Sequence, residues 1–348
     1  MTFPSLLRSL SFALATVVMA SLTPLAHAAE PIKIVGAGAS FPAPLYLRWF
    51  RDYYLAHPNV QIDYQAIGSG GGIANLINGL LDFAGSDVPM KPEDAAKVPG
   101  GVVQIPMTAG AVVIAYHLDG VDGIKLSREA IAGIFTGQIA RWNDPLIAAT
   151  NPGVELPDLP IVVVTRGDAS GTTFVTTRHL GAVSDAFNRN VGVDMNPVWP
   201  KVLQERGALI RGQGNGGVAA FIRAIPGSIG YLQYAYAGLT NMQMALMQNR
   251  AGDYVPPDSA SFRAAVESFR AEMDLSEIAD PKGDGSYPVL SLSWLILRKD
   301  YPEDKAAVIR DVIRYALTDG QQVAGLLGYI PLTEAAVALL QQKVEQIQ

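Results

Sequence analysis

Along this 348-residue chain, three short glycine-flanked clusters of hydroxyl residues stand where a β-branched or apolar run gives way to helical spacing. They are Gly38-Ala39-Ser40-Phe41, Gly68-Ser69-Gly70-Gly71-Gly72 and Arg166-Gly167-Asp168-Ala169-Ser170-Gly171-Thr172-Thr173. Strand, tight turn and helix in succession constrain the fold to the α/β class, because such units bury their apolar faces against a shared sheet. The same junctions constrain function. A helix N-terminus carries unpaired N–H groups and the positive end of the helix dipole, so several of them together can enclose a small anion.

The first unit runs from the strand-like Ile32–Val35 through Pro42 and Pro44 into a helix ending near His57, with Leu45, Trp49 and Tyr53 forming its apolar stripe. Val60–Tyr64 alternates as a strand and leads through Gly68–Gly72 to a helix over 73–80. Leu81–Ala84 delivers Ser86-Asp87, and a short helix follows over 91–97. Val102–Pro106 and Ala111–Tyr116 read as two buried strands, and Ile161–Val164 as a third that delivers the last cluster. Helices are expected over 127–135, 172–179, 217–224, 260–272, 302–318 and 333–346, with strands at 229–231 and 293–298. The alternation predicts mainly parallel pairing.

Residues 1–29 are unlike the rest. Arg8 is their one charge, an apolar run follows from Leu10 to Leu22, and Ala26-His27-Ala28 supplies a small-residue cleavage pattern. This is the pattern of a secretory signal peptide, and Ser, Thr and Pro interrupt the run before the roughly 20 residues a spanning helix needs. The expected product is exported. The chain has no cysteine, which excludes a thioether lipid anchor and disulfides, so stability must come from burial; 49% hydrophobic residues supply the material. The formal charge of −6 becomes −7 without Arg8, the wrong sign for gripping a nucleic-acid backbone.

Enzymatic chemistry finds little support in the residues. His57, His117 and His179 lack metal-ligand spacing, and there is no H-E-x-x-H, no G-x-S-x-G elbow and no phosphate-binding G-x-x-x-x-G-K-[ST] loop. Gly212-Gln213-Gly214-Asn215-Gly216-Gly217 satisfies G-x-G-x-x-G, but no acid follows about twenty residues on. It reads as a helix start that needs close backbone packing.

The hydroxyl clusters differ because their contents serve one task. Singly, a serine at a helix start is an N-cap and a glycine-rich turn is a turn. Together, Ser40, Ser69, Ser170 and Thr172 offer O–H donors, and Arg166 offers a planar fork matched to a tetrahedral oxyanion. Asp168 stands two residues away, able to hold that guanidinium in position. Asp87 is the discriminating residue. A carboxylate only accepts hydrogen bonds, so beside an oxyanion it tolerates a species that still carries a proton, such as hydrogen phosphate, and not fully ionised sulfate.

These residues resemble the periplasmic phosphate-binding proteins of bacterial high-affinity phosphate ABC transporters. The motifs that carry the resemblance are Gly36–Pro44, Tyr64–Ser69, Asp82–Asp87, Arg166–Phe174 and Ile225–Tyr231, in that order along the chain, while about 241–284 matches only diffusely. The resemblance implies a type II periplasmic-binding fold, the Venus flytrap, with two α/β lobes and a cleft between them. It implies lobe I over 30–106 plus 288–348, lobe II over 107–287, and hinges near Pro106 and Pro288. By similarity, phosphate is held by Ser40, the Phe41 N–H, Ser69, Asp87, Arg166, Ser170, the Gly171 N–H and Thr172, with Asp168 supporting. Ser40 stands where many relatives have Thr, and Gly70 where some have a second Ser. The implied role is delivery of hydrogen or dihydrogen phosphate to a membrane permease, by a monomer in the periplasm with no catalytic residue, cofactor or metal. The competing expectations are a receptor for sulfate or molybdate, and an exported phosphate-ester hydrolase.

Overall fold

In the computed structural model, which describes residues 30–267 and 279–348, the first two units form as local propensity dictates. Residues 1–29, read above as a signal peptide, and the end of the helix expected over 260–272 lie outside the described residues. Pro31–Gln348 is one unit. Strand β1 (Ile32–Gly38) leads to helix α1 (Ala43–Ala56), opened by Pro42 and Pro44, and then to β2 (Val60–Ala66), α2 (Ser69–Ile77) and β3 (Phe83–Ser86). Helix α2 starts at Ser69, earlier than its apolar spacing predicts, because Gly68 turns the chain at φ +89° and closes the first turn there.

Strand β4 (Val102–Tyr116) follows, then β5 (Val162–Arg166), α3 (Gly171–Val183), β6 (Leu209–Gly212), α4 (Gly214–Ala224) and β7 (Ser228–Gln233). The chain closes with β8 (Leu290–Arg298), α5 (Glu303–Leu317) and α6 (Glu334–Val344). Eight strands run in the order β2-β1-β3-β8-β4-β7-β5-β6, and Gln243–Met244 adds a ninth beside β4.

Two expectations are corrected. Residues 102–106 and 111–116 are one strand, not two: β4 runs unbroken for 15 residues. Pro106 has no N–H for a ladder, and the register with β8 slips there, so that Trp294 faces Pro106 while Ser293 faces Thr108. Met107 is the extra residue of this bulge, which lets proline stand inside a long strand. Pairing is also mixed rather than mainly parallel. The outer pairs β1–β2, β1–β3, β5–β6 and β5–β7 are parallel, but β8 lies antiparallel to both β3 and β4, and β4 antiparallel to β7. The two central strands therefore point opposite to their neighbours and link the two parallel sets.

Alternation along the strands sorts the core into two faces. Ile34, Phe83, Leu295 and Leu297 pack with Phe50 of α1 and with Ile309 and Ile313 of α5. Ala37, Ala84, Trp294 and Ile296 point the other way, onto Leu76 of α2. Trp49, the centre of the α1 stripe, is fully buried and donates Nε1–H to the Gly320 carbonyl at 2.6 Å. Among the described residues no helix is long and apolar enough to cross a membrane.

Candidate anion-binding site

The carboxyl ends of β1, β2 and β3 deliver the first set of polar residues, and those of β5 and β6 deliver the second. Parallel strands in an α/β sheet present their loops and helix N-termini at this edge, where ligands bind. The β3 end carries Asp87, whose N–H donates to Ser69 Oγ at 3.2 Å, tying the first residue of α2 to the acid. Ser293 of the central strand β8 donates to Asp87 Oδ1 at 2.9 Å. Asp87 Oδ2 is buried without a hydrogen-bond partner. Burial pushes this carboxyl up to about 7, against the lowering effects of the Ser293 hydrogen bond and the Arg166 charge; Asp168 raises it further.

From the second set, β5 ends in Arg166, whose side chain is 1% exposed. Its Nε and Nη2 donate to Asp168 Oδ1 and Oδ2 at 2.8 and 2.5 Å, and Nη1 donates to Thr172 Oγ1 at 3.2 Å. The bidentate pair fixes the plane of the guanidinium, leaving N–H bonds of its other edge for a ligand. Asp168 also accepts from the Gly214 N–H at 3.1 Å, so its carboxylate is held by two segments. Ser170 is the N-cap of α3 and accepts from the Thr173 N–H at 3.1 Å.

The two sets meet. A Cβ built on Gly171 would stand 2.5 Å from Ser69 Oγ and 2.7 Å from Asp87 Oδ2, so the first residue of α3 lies directly against the first set. Only glycine allows that approach. The Gly70 N–H donates to the Ala169 carbonyl at 3.0 Å, and a Cβ on Gly68 would strike the Asp168 carboxylate. Ser40 accepts from the N–H of Asn215 at 2.9 Å and from its Nδ2 at 2.8 Å, while its carbonyl accepts from the Tyr236 hydroxyl at 2.7 Å. Phe41, fully buried, offers its carbonyl to the Tyr329 hydroxyl at 2.6 Å.

The structure thus brings Ser40, Phe41, Ser69, Asp87, Arg166, Asp168, Ser170, Gly171 and Thr172 to one place. Ser40, Ser69, Asp87, Arg166, Ser170 and Thr172 are all buried. Three residues of this neighbourhood escape sequence reasoning. Ser293 and Tyr236 lie in apolar or aromatic runs with no local sign of a site. Asn215 had one: it sits inside the glycine run opening α4, an unusual place for a wholly buried amide. Among the described residues, no group of three or more His, Cys, Asp or Glu side chains is placed to hold a metal ion. Chemically, the arrangement offers converging hydroxyls, one immobilised guanidinium and helix starts to an oxyanion, plus one unpartnered acceptor.

Comparison with known proteins gives the same direction. The family model described as a PBP superfamily domain matches residues 25–319. The phosphate-binding protein PstS of Pasteurella multocida is 39% identical over 315 residues, covering 88% of each chain. PstS of Xylella fastidiosa is 37% identical over 318 residues, 89% of this chain and 84% of that one. Among solved structures, a high affinity periplasmic phosphate-binding protein bound with phosphate superimposes with a TM-score of 0.73 at 22% identity, over 89% of this chain and 93% of that one.

Proposed function

The chain belongs to the PstS family of phosphate-binding proteins within the PBP superfamily and has its two-lobed type II periplasmic-binding fold, and from that premise we propose that it captures inorganic phosphate in the periplasm and delivers it to the permease of an ABC importer. In this reading phosphate is held by the hydroxyls of Ser40, Ser69, Ser170 and Thr172, the guanidinium of Arg166, the N–H groups of Phe41 and Gly171, and the carboxylate of Asp87. Lobe I comprises 30–106 and 288–348, and lobe II 107–287.

The observation that carries the reading is Asp87 Oδ2, a buried acceptor with no partner, set among donors. A buried unpaired acceptor costs roughly 1 to 3 kcal/mol, more when charged. Hydrogen phosphate removes that cost by donating its own proton to Oδ2, while its other oxygens take the surrounding donors. Sulfate has no proton to give and would set one acceptor against another. Micromolar affinity corresponds to about −8 kcal/mol, within reach of half a dozen charge-assisted bonds at about 1.5 to 3 kcal/mol each after dehydration and closure are offset.

A receptor fits better than a hydrolase. His57 stacks on Tyr53, His117 bonds the Ile222 carbonyl and His179 bonds the Ala279 carbonyl, so none of them stands beside a site hydroxyl as a general base. Calorimetric titration of the exported chain with phosphate, arsenate, sulfate and molybdate tests the proposal. Phosphate and arsenate should bind tightly and sulfate and molybdate at least a hundredfold more weakly. Equal affinity for sulfate, or no heat with phosphate, would overturn it.

A further inference from the structure

Asn215, the first buried side chain of α4, is wholly enclosed and belongs to none of the hydroxyl clusters. Its Oδ1 accepts from the Gln233 N–H at 2.9 Å, which settles the orientation of the amide: Nδ2 is the atom turned into the site. Its two N–H bonds point to two hydroxyls, Ser40 Oγ at 2.8 Å and Thr172 Oγ1 at 3.3 Å. Ser40 Oγ also accepts from the Asn215 backbone N–H, and Thr172 Oγ1 also accepts from Arg166 Nη1. A hydroxyl has two acceptor positions and one proton. On both residues the acceptor positions are filled, so each has only its proton left to offer.

We infer that Asn215 is a positioning residue which turns the Ser40 and Thr172 hydroxyls into obligate donors toward the bound anion, one from each side of the site. This inference rests on the proposed phosphate-binding function and names what gives two of its ligand groups their direction. Without the Asn215 amide each hydroxyl keeps one donor and regains one open acceptor position, so it can present a lone pair where an oxyanion meets repulsion. The device has a second consequence. Because the same amide and its own backbone N–H reach Ser40, 175 positions away in the chain, donor orientation is set only when the two sides are together. An open cleft leaves the Ser40 hydroxyl unbiased.

The test is a phosphate titration by calorimetry on the wild type, Asn215→Ala and Asn215→Asp, repeated in a Ser40→Ala/Thr172→Val background. Asn215→Ala should weaken phosphate by about tenfold. Asn215→Asp keeps the shape and the acceptor for Gln233, but replaces the Nδ2 donor by an acceptor that draws both hydroxyl protons to itself; it should weaken phosphate by about a hundredfold or more. In the double-variant background, Asn215→Ala should change affinity by less than about twofold, because the groups it acts through are gone. A residue that mattered only for folding would lower affinity equally in both backgrounds, and that result overturns the inference. So does wild-type affinity in both single variants. Thermal unfolding without ligand identifies any variant that loses affinity by failing to fold, and Asn215→Asp is the variant that stands if Asn215→Ala does not. Failure of the wild type itself to bind phosphate sinks the proposed function and this inference with it, whereas normal wild-type binding with unaffected variants sinks only the inference.

Discussion

Asp87 carries more of the argument than any other residue, because its environment makes two separable demands. Burial favours the neutral acid, pushing it up to about 7, while the donors around it favour a bound anion. In the unfolded chain the same carboxyl titrates near its ordinary value of 3.8. Between those two values the folded protein holds a proton that the unfolded chain has released. Stability without ligand must therefore fall as pH rises from about 4 to about 7, and level off above. Asp87→Asn should remove that fall, by an amount on the order of a few kcal/mol, readable as flattened urea midpoints across the interval. An unaltered pH slope in the variant would assign the slope to other groups. The same substitution should narrow the gap between phosphate and sulfate more than it weakens phosphate, because an amide offers sulfate an N–H where the carboxylate offered repulsion. Calorimetry with both anions decides it, and unchanged selectivity would remove Asp87 from the role of proton acceptor.

At the scale of elements, the site is a set of strand-to-helix junctions, and the N-terminus of α3 packs tightly against the first set. Gly171 has ordinary helical neighbours and no positive φ, so it is glycine for space and not for backbone conformation. Gly171→Ala should destabilise this arrangement, because its methyl would stand 2.5 Å from Ser69 Oγ and 2.6 Å from Asp87 Cβ. Its methyl would occupy the place of Ser69 Oγ and Asp87 Oδ2, and phosphate affinity should drop at least a hundredfold. Retained affinity in a titration would mean that α3 does not close onto α2 with ligand bound. These junctions were legible in the sequence because each is local: Gly68-Ser69 or Ser170-Gly171-Thr172 declares a turn and a helix start within a few residues. What was not legible is relational. The joined strand β4 depends on a bulge at Met107, opposite the Ser293–Trp294 step of β8, and the antiparallel centre depends on where the C-terminal strand inserts. Asn215 passed as one residue of a helix start that needs close backbone packing, because its partners, Ser40 and Thr172, come from distant parts of the chain.

At the scale of the whole molecule, β4 and β8 are the shared members of two strand sets. Along β4, residues 102–111 pair with β8 and residues 112–116 with β7, so the exchange of partners falls between Ala111 and Val112. Under the proposed two-lobe function, bending at this exchange would strain neither ladder, which moves the expected hinge from near Pro106 to the Ala111–Val112 step. The closed arrangement is held directly by Asn215 to Ser40, Tyr236 to Ser40 and Gly70 to Ala169, and opposed by the enclosure of the Asp87 carboxylate. Those opposing terms make closure sensitive to pH when no anion is bound. Opening hydrates Asp87 and returns it toward ordinary carboxylate behaviour, so the closed form binds the proton more tightly than the open form. Raising pH from about 4 to about 7 must then shift the ligand-free protein toward the open form. Small-angle scattering should record a larger radius of gyration at about pH 7.5 than at about pH 4.5 without ligand, a span that covers most of the window set by the Asp87 shift. Phosphate should restore the compact value at both, since its proton takes the place at Oδ2, and sulfate should not. In Asp87→Asn the ligand-free radius should no longer depend on pH. A wild-type radius that is constant across the range without ligand would show that closure is indifferent to the charge it buries, and would separate anion selection from lobe movement.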